Sequence, residues 1–455
     1  MINDTIAAIA TGMNNSGIGI IRISGSDAVS IMKNIFRPKY SSWDFSNMES
    51  HKAVYGMIVD GTREIDECLM LPMLAPNSYT KEDVVEIQSH GGVMVVKTIL
   101  ELIIKNGARP AEPGEFTKRA FLNGRLDLSQ AEAVMDVIHA KNQFALESSV
   151  KQLKGNIQSK IKSIREEIIY EIAFIESALD DPEHISIDGY GEKLMILVEQ
   201  WLIALQQLID SADNGRMLKE GIQTAIVGKP NAGKSSLLNV LVGEERAIVT
   251  EIAGTTRDTL EETIQINGIT LNIIDTAGIR DTDDVVEQIG VEKAKNSVEQ
   301  ADLVLYVVDG SLPLDKNDNL IMELIQDKKV IVLLNKSDLK QVVTEEAFSK
   351  FSVVSVSAKN MEGMEHLYDI LKEMFFQGNI SYNDEVIITN VRHKNALINS
   401  FDSISKVKNS IEMDMPEDFY SIDLMDAYEQ LGVIIGESVE EDLVNEIFGK
   451  FCTGK

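Results

Sequence analysis

Cysteine is almost missing from this chain: 2 in 455 residues, Cys68 and Cys452. Two thiols cannot staple a protein of this length, so a disulfide scaffold is excluded and a reducing, cytoplasmic setting is expected. Long apolar runs are missing as well. Stretches such as "LVLYVV" are far too short to cross a bilayer, and no membrane role is expected. The opening "MINDTIAAIATG" has no basic residue ahead of its apolar run and carries Asp4, so it does not read as a secretory signal. Aromatics are only 6%, which points to helix-rich cores packed with Leu and Ile. Positive charge is in deficit, 43 Lys and Arg against 72 Asp and Glu, for a net charge of −29. That excludes a protein that coats nucleic acid by bulk electrostatics. A local surplus survives between Lys97 and Arg165, with 12 basic and 7 acidic residues, and an ordinary solvated helix face accounts for it on charge alone.

What is present divides into blocks, since 455 residues exceed one hydrophobic core. Residues 1–120 read as α/β, with strands at "GIGIIRIS" and "VVEIQSH". "HGGVMVVKTILELIIKNG" reads as a strand end, a Gly turn and an amphipathic helix closed by Gly107. From 126 a helical pattern runs to a break at "DDPEH", and a second helix is expected from about 191 to 213. From Ile222 strands and helices alternate: "IQTAIVG", "GKSSLLNVLVG", "ADLVLYVVDG", "NLIMELIQ", "KVIVLLNK", "FSVVSVSA" and "MEHLYDILKEMF". Such alternation predicts a mostly parallel sheet covered on both faces. "TIQINGITLNII" adds a hairpin turning at Asn267-Gly268. After about 380 the chain is helical again. These 75 or so residues would bury little core alone, so they are expected to complete the helices of 126–213, although a separate C-terminal bundle would also fit. The divisions are 1–120, 121–216, 217–380 and 381–455.

"GKPNAGKS", Gly228 to Ser235, follows a predicted strand and opens a predicted helix, the context of a phosphate loop. Asn231, Ala232, Gly233, Lys234, Ser235 and Ser236 would line the phosphates. Lys234 would reach the β- and γ-phosphates and Ser235 would ligate Mg²⁺. "DTAG" supplies Asp275, Thr276, Ala277 and Gly278, with Asp275 on the Mg²⁺ shell. "NKSD" supplies Asn335, Lys336 and Asp338, and the Asp338 carboxylate can accept from guanine N1–H and its 2-amino group, donors that adenine lacks. "SAK", Ser357, Ala358 and Lys359, would support the base. The four signals in this order select GTP over ATP. "GTTRD" falls at a switch loop, where Thr256 is a second Mg²⁺ ligand candidate. After the "DTAG" glycine stands Ile279, where a Ras-like switch has a water-orienting glutamine. Another group must orient water, and Glu287 in "DDVVEQIG" is the acid at hand. Asn231 is a neutral oxygen donor suited to a monovalent cation.

With these motifs, "GIGIIRISG", "SYTKEDVVEIQSHGG", "PGEFTKRAFLNGRLDLSQAEAV", "DTAGIR" and the terminal "FCTGK" make nearly the whole chain resemble the MnmE/TrmE family of tRNA-modification GTPases. The resemblance implies an N-terminal α/β domain for folate binding and dimerisation, a discontinuous helical domain and an inserted Ras-like G domain. It implies a homodimer and a heterotetramer with an FAD- and NADH-dependent MnmG/GidA-type protein. That assembly adds an aminomethyl or carboxymethylaminomethyl group to C5 of the wobble uridine of certain tRNAs. The one-carbon source would be 5-formyl- or 5,10-methylene-tetrahydrofolate. By position, Arg22, Glu86, Arg125 and Lys455 match folate-binding residues. Asn231, Thr250, Ile252 and Thr255 match a K⁺ shell, within a switch that adds Glu251, Ala253 and Gly254 to the GTP contacts. Glu287 matches the general acid/base. Cys452 would lie beside the modification centre, as nucleophile, positioning group or redox sensor.

Overall fold

The computed structural model describes residues 4–244, 262–266, 268–274, 295–376, 386–437, 441–449, 451 and 454. They form two compact units: Met1–Ile138 with Val150–Trp201 and Asn399–Lys455, and His139–Ser149 with Leu202–Ile398.

In the first unit, alternating side chains build a seven-stranded sheet of order β3-β4-β5-β6-β2-β1-β7. Its strands are β1 (Ile6–Ile9), β2 (Ser16–Ser24), β3 (Phe36–Pro38), β4 (Val54–Asp60), β5 (Arg63–Met73), β6 (Val84–Gly91) and β7 (Arg109–Pro110). Ile21, Ile23, Val85 and Ile87 point to one face and are buried with helices α1 (Ala28–Ile35) and α2 (Val93–Lys105). In α2 the buried positions Val96, Ile99, Leu102 and Ile103 keep the helical spacing. The chain leaves α2 through Gly107 at φ +115°. The period of two then sends Arg22 and Glu86 to the opposite face, where they are cross-strand partners. That face is covered by Phe116 of helix α3 (Glu115–Leu122) and by Tyr79, packed on Ile6, Ala8 and Ala111.

The helical run from 126 is not continuous. It forms α4 (Leu128–His139), α5 (Gln143–Leu153) and α6 (Asn156–Asp180). Gly155, at φ +90°, breaks the path between α5 and α6, since an L side chain is disfavoured there. The next helix, α7 (Tyr190–Glu220), outruns its expected end at 213 and stops at Gly221, φ +92°. Helix α6 buries Ile161, Ile164, Ile168, Ile172 and Ile175. Each isoleucine loses less than about 0.7 kcal/mol in helix propensity, whereas burying it contributes about 1.5–3 kcal/mol, so packing decides. The partner surface comes from the far end of the chain. Helix α12 (Asp418–Ile435), which follows α11 (Val391–Glu412), packs on α6. Arg165 donates through Nε to the Tyr428 carbonyl at 3.1 Å and lies 3.9 Å from that ring's centroid. The helical domain is therefore discontinuous in sequence.

The inserted G domain lies within the second unit. Its sheet has the order β13-β12-β11-β8-β10-β9: β8 (Ile222–Val227), β9 (Glu262–Ile266), β10 (Ile269–Ile273), β11 (Leu303–Asp309), β12 (Val330–Asn335) and β13 (Ser352–Ser355). Among the described residues all pairings are parallel except β9 with β10, where Ile266 pairs with Ile269. Strand β11 is buried along its whole length, as a central parallel strand requires. Helices α8 (Lys234–Glu244), α9 (Lys316–Ile325) and α10 (Met364–Phe376) follow β8, β11 and β13.

Candidate functional site

The phosphate loop joins β8 to α8. Its conformation needs left-handed backbone at Asn231 (φ +61°) and Gly233 (φ +100°). A Cβ on Gly233 would lie 2.1 Å from Asn335 Nδ2, so only glycine fits. Asn335 ends β12 and ties the loops together: Nδ2 donates to the Ala232 carbonyl at 2.9 Å, and Oδ1 accepts from the Ala358 amide at 3.2 Å. Lys234 reaches back over the loop to the carbonyls of Gly228 (2.7 Å) and Lys229 (2.8 Å). Burial lowers the pKa of its ammonium. Beside it, Ser235 is half-buried and Ser236 exposed.

The candidate base-reading side is also pre-arranged. Ser357, fully buried, donates to Asp338 Oδ1 at 2.9 Å, which leaves the exposed Asp338 carboxylate oriented. Lys336 adopts φ +64° and its Nζ donates to Asp309 Oδ2 at 2.5 Å. Burial alone would raise the Asp309 carboxyl, but the Lys336 ammonium and Ser311 hold it below the usual range. Lys359 is exposed. The other G-domain candidates, Thr250, Glu251, Ile252, Ala253, Gly254, Thr255, Thr256, Asp275, Thr276, Ala277, Gly278 and Glu287, lie outside the described residues, and so does Ile279.

In the first unit Arg22, Glu86 and Arg125 converge. Arg22 donates through Nε and Nη2 to Glu86 Oε1, each at 2.8 Å. Its Nη1 lies 3.5 Å from the Gly454 carbonyl. Guanidiniums of Arg22 and Arg125 sit 5.4 and 4.7 Å from the Tyr79 ring centroid, and Arg22 is also 5.5 Å from that of Phe116. The Tyr79 hydroxyl is 2.9 Å from Thr117 Oγ1. Under this face, buried Arg119 bonds Asp4, Glu82 and Glu115, and Arg109 bonds Asp4 and Glu115. Burial would raise the Asp4 and Glu115 carboxyls, yet the two arginines hold both low.

The C-terminal tail is docked, not frayed, where it is described. Phe451 is buried against Phe448, ring centroids 5.2 Å apart, following helix α13 (Glu441–Gly449). The fit uses Gly114 as floor: a Cβ there would meet the Phe448 carbonyl at 2.5 Å. Gly454, φ +96°, lies so close to β1 that a Cβ would be 2.4 Å from the Ile9 carbonyl. Cys452 and Lys455 lie outside the described residues. The other cysteine, Cys68, is buried, and that burial, with Asp66 nearby, pushes its thiol up to about 12, so it is unreactive at neutral pH.

Sequence reasoning missed Tyr79, Asp309 and the role of Lys229. Tyr79 left no signal beyond an aromatic next to a threonine. Asp315 and Asp318 did leave one: the run "DKND" is an N-cap with an acid three residues on, and both halves of that capping box form.

Two family models match the chain, GTP-binding protein TrmE N-terminus over residues 5–125 and MnmE helical domain over 128–452. The tRNA modification GTPase MnmE of Lachnoclostridium phytofermentans is 58% identical over the full length of both chains. That of Clostridioides difficile is 48% identical, again over both full lengths. Among solved structures, the G domain of the T. maritima FeoB iron transporter is 28% identical, covering 33% of this chain and 96% of that chain at a TM-score of 0.26.

Proposed function

Because this chain belongs to the MnmE family of tRNA modification GTPases, we propose that its GTP hydrolysis drives a folate-dependent modification of wobble uridine 34. The chain is a GTPase, and its tRNA substrate follows from the family name. The finer reading is a potassium-activated cycle in a homodimer that joins an FAD- and NADH-dependent MnmG/GidA-type partner in the cytoplasm. Among the described residues no helix is long and apolar enough to cross a membrane.

On this reading Lys234 binds the phosphates, Asp338 reads guanine, and Glu287 orients the attacking water in place of the absent glutamine. Mg²⁺ held by Ser235 and Thr256, and K⁺ held by Asn231, Thr250, Ile252 and Thr255, would supply positive charge around the γ-phosphate. The left-handed backbone at Asn231 and Gly233 and the half-buried Ser235 at the start of α8 fit such a ligand set.

The observation that carries the second half is the meeting of Arg22 with Glu86 and the tail carbonyl of Gly454. Among the described residues Arg22 engages only Oε1 of Glu86, which leaves Oε2 to accept from a pterin N–H. The Arg125 guanidinium stacks on Tyr79, which leaves its N–H fork for a carboxylate. With Lys455 these residues would hold a reduced folate, 5-formyl- or 5,10-methylene-tetrahydrofolate, whose chemistry is one-carbon donation. Cys452 would stand beside the reacting uridine, as nucleophile at C6 or as a positioning group, its thiolate favoured by nearby cations. The test is mass spectrometry of wobble-uridine nucleosides from cells lacking this protein and complemented with wild type or Arg22→Gln. Modification restored by wild type and not by Arg22→Gln supports the reading. Full restoration by Arg22→Gln overturns the folate site.

A further inference from the structure

The segment leaving β11 is fastened to both nucleotide loops of the G domain. At its start, Asp309 is buried at the strand end, accepts from Lys336 Nζ at 2.5 Å, and takes the Ser311 amide and hydroxyl on its other oxygen. Lys336 belongs to the base-reading loop. At its end, Asp315 and Asp318 form the capping box of α9, and both accept from Lys229 Nζ, at 3.0 and 2.7 Å. Lys229 is the second residue of the phosphate loop, and its carbonyl accepts from Lys234. Asp318 is 1% exposed, and its other oxygen takes the hydroxyl of Tyr306, a fully buried residue of β11 itself.

We propose that residues 309–318 form a strut that keeps the phosphate loop and the base-reading loop in register, with Lys229 and Asp318 as positioning residues at one end and Asp309 and Lys336 at the other. The side chain of Lys229 is committed to two carboxylates, so it is no phosphate ligand. Its cation also neutralises two aspartates that would otherwise repel a nucleotide's phosphates at close range. Asp318 is rigid because it is buried with three donors, Lys229, Tyr306 and the Asp315 amide. A rigid link of this kind matters for specificity. The Asp338 carboxylate reads the 2-amino group only if the base arrives at the right depth while the phosphates are seated. Lys229 therefore acts on guanine selection from the phosphate end, without touching the base.

The test uses the full chain with GDP and IDP, which share phosphates and ribose and differ in the 2-amino group. Affinities are measured by calorimetry for wild type, Lys229→Met, Lys229→Arg, Asp318→Asn and the Lys229→Met/Asp318→Asn pair. Lys229→Met is expected to weaken GDP about 10-fold and IDP only about 2- to 3-fold, so that the preference for GDP narrows. Lys229→Arg, which can keep both ion pairs, should restore most of the preference. The double variant should be no more than about 2-fold worse than either single one, as for residues acting as one unit. Equal losses for GDP and IDP would mean local damage to the phosphate loop and would overturn the strut, as would an unchanged GDP affinity. Should Lys229→Met not fold, Asp318→Asn, which keeps the side-chain shape, must narrow the preference in the same way, and equal losses there overturn the proposal too.

Discussion

Ile279 and Glu287 set the chemistry expected at the scale of single residues. An aliphatic side chain after the "DTAG" glycine can neither orient water nor offset charge. Two substitutes are proposed, a carboxylate for the water and a potassium ion for the charge. One assay examines both. Wild-type turnover should be much faster in K⁺ than in Na⁺, because a cation held by Asn231, Thr250, Ile252 and Thr255 would supply the positive charge that an arginine finger otherwise contributes, worth about 10³–10⁵ in rate. Glu287→Ala should lose about 10²–10⁴ in turnover in K⁺ with GTP affinity little changed, as for a lost general base. Equal wild-type rates in the two salts would remove the potassium, and a collapse of GTP binding in Glu287→Ala would make that residue structural.

At the scale of elements, the tail shows how a chain end earns order. Burying Phe451 contributes about 1.5–3 kcal/mol, against about 1–2 kcal/mol for each residue whose backbone is fixed. One aromatic anchor thus offsets the ordering of only one or two residues. The last residues need further contacts, and Gly454 provides one by lying directly on β1. Gly454→Ala combines a disfavoured φ of +96° with a Cβ placed 2.4 Å from the Ile9 carbonyl. The variant is expected to lose amide protection beyond Phe451 in hydrogen exchange and to lose tRNA modification, with GTP turnover kept. A truncation after Phe451 should likewise lose tRNA modification and keep GTP turnover. Modification at the wild-type level in either protein would show that the docked tail has no part in the reaction.

At the scale of the whole molecule, the acidic balance meets a few well-paired carboxylates. Asp4, Glu115 and Asp309 have pKa values below their ordinary ones, each held down by a cation against the opposing effect of burial. A depressed folded-state pKa contributes stability that is present above the unfolded value, near 4, and is lost as pH falls through the still lower folded value. Asp127 runs the other way: burial raises its carboxyl, so acidification relieves that group. From these groups, melting temperature should hold between pH 7 and about 5 and fall steeply only below about 4. A steep loss already between pH 7 and 5 would mean that other groups dominate.

Read along the chain, the G domain was legible because its chemistry is local: each nucleotide motif is a short run at a strand end, and backbone geometry at Gly233 and Asn335 follows from those few residues. The strands "GIGIIRIS" and "VVEIQSH" were legible for the same reason, since a period of two needs no distant partner. Amino-acid order by itself thus determined the phosphate loop at a strand end, the alternating sheet of the inserted domain, and, through the period of two, which face of β2 and β6 carries Arg22 and Glu86. The breaks at 140–142 and 154–155 were not legible, because neither holds a proline and apolar residues resume just beyond each, Phe144 after the first and Ile157 after the second, so only packing selects where a helix ends. Nor were the contacts made across long stretches of chain: Arg165 on Tyr428, Arg22 on Gly454, Lys229 on Asp318. Such pairs join residues whose own neighbours in sequence say nothing of each other. Only tertiary structure decided them, because burying an ion pair or seating a glycine on a strand depends on which surfaces meet once the separate cores have formed.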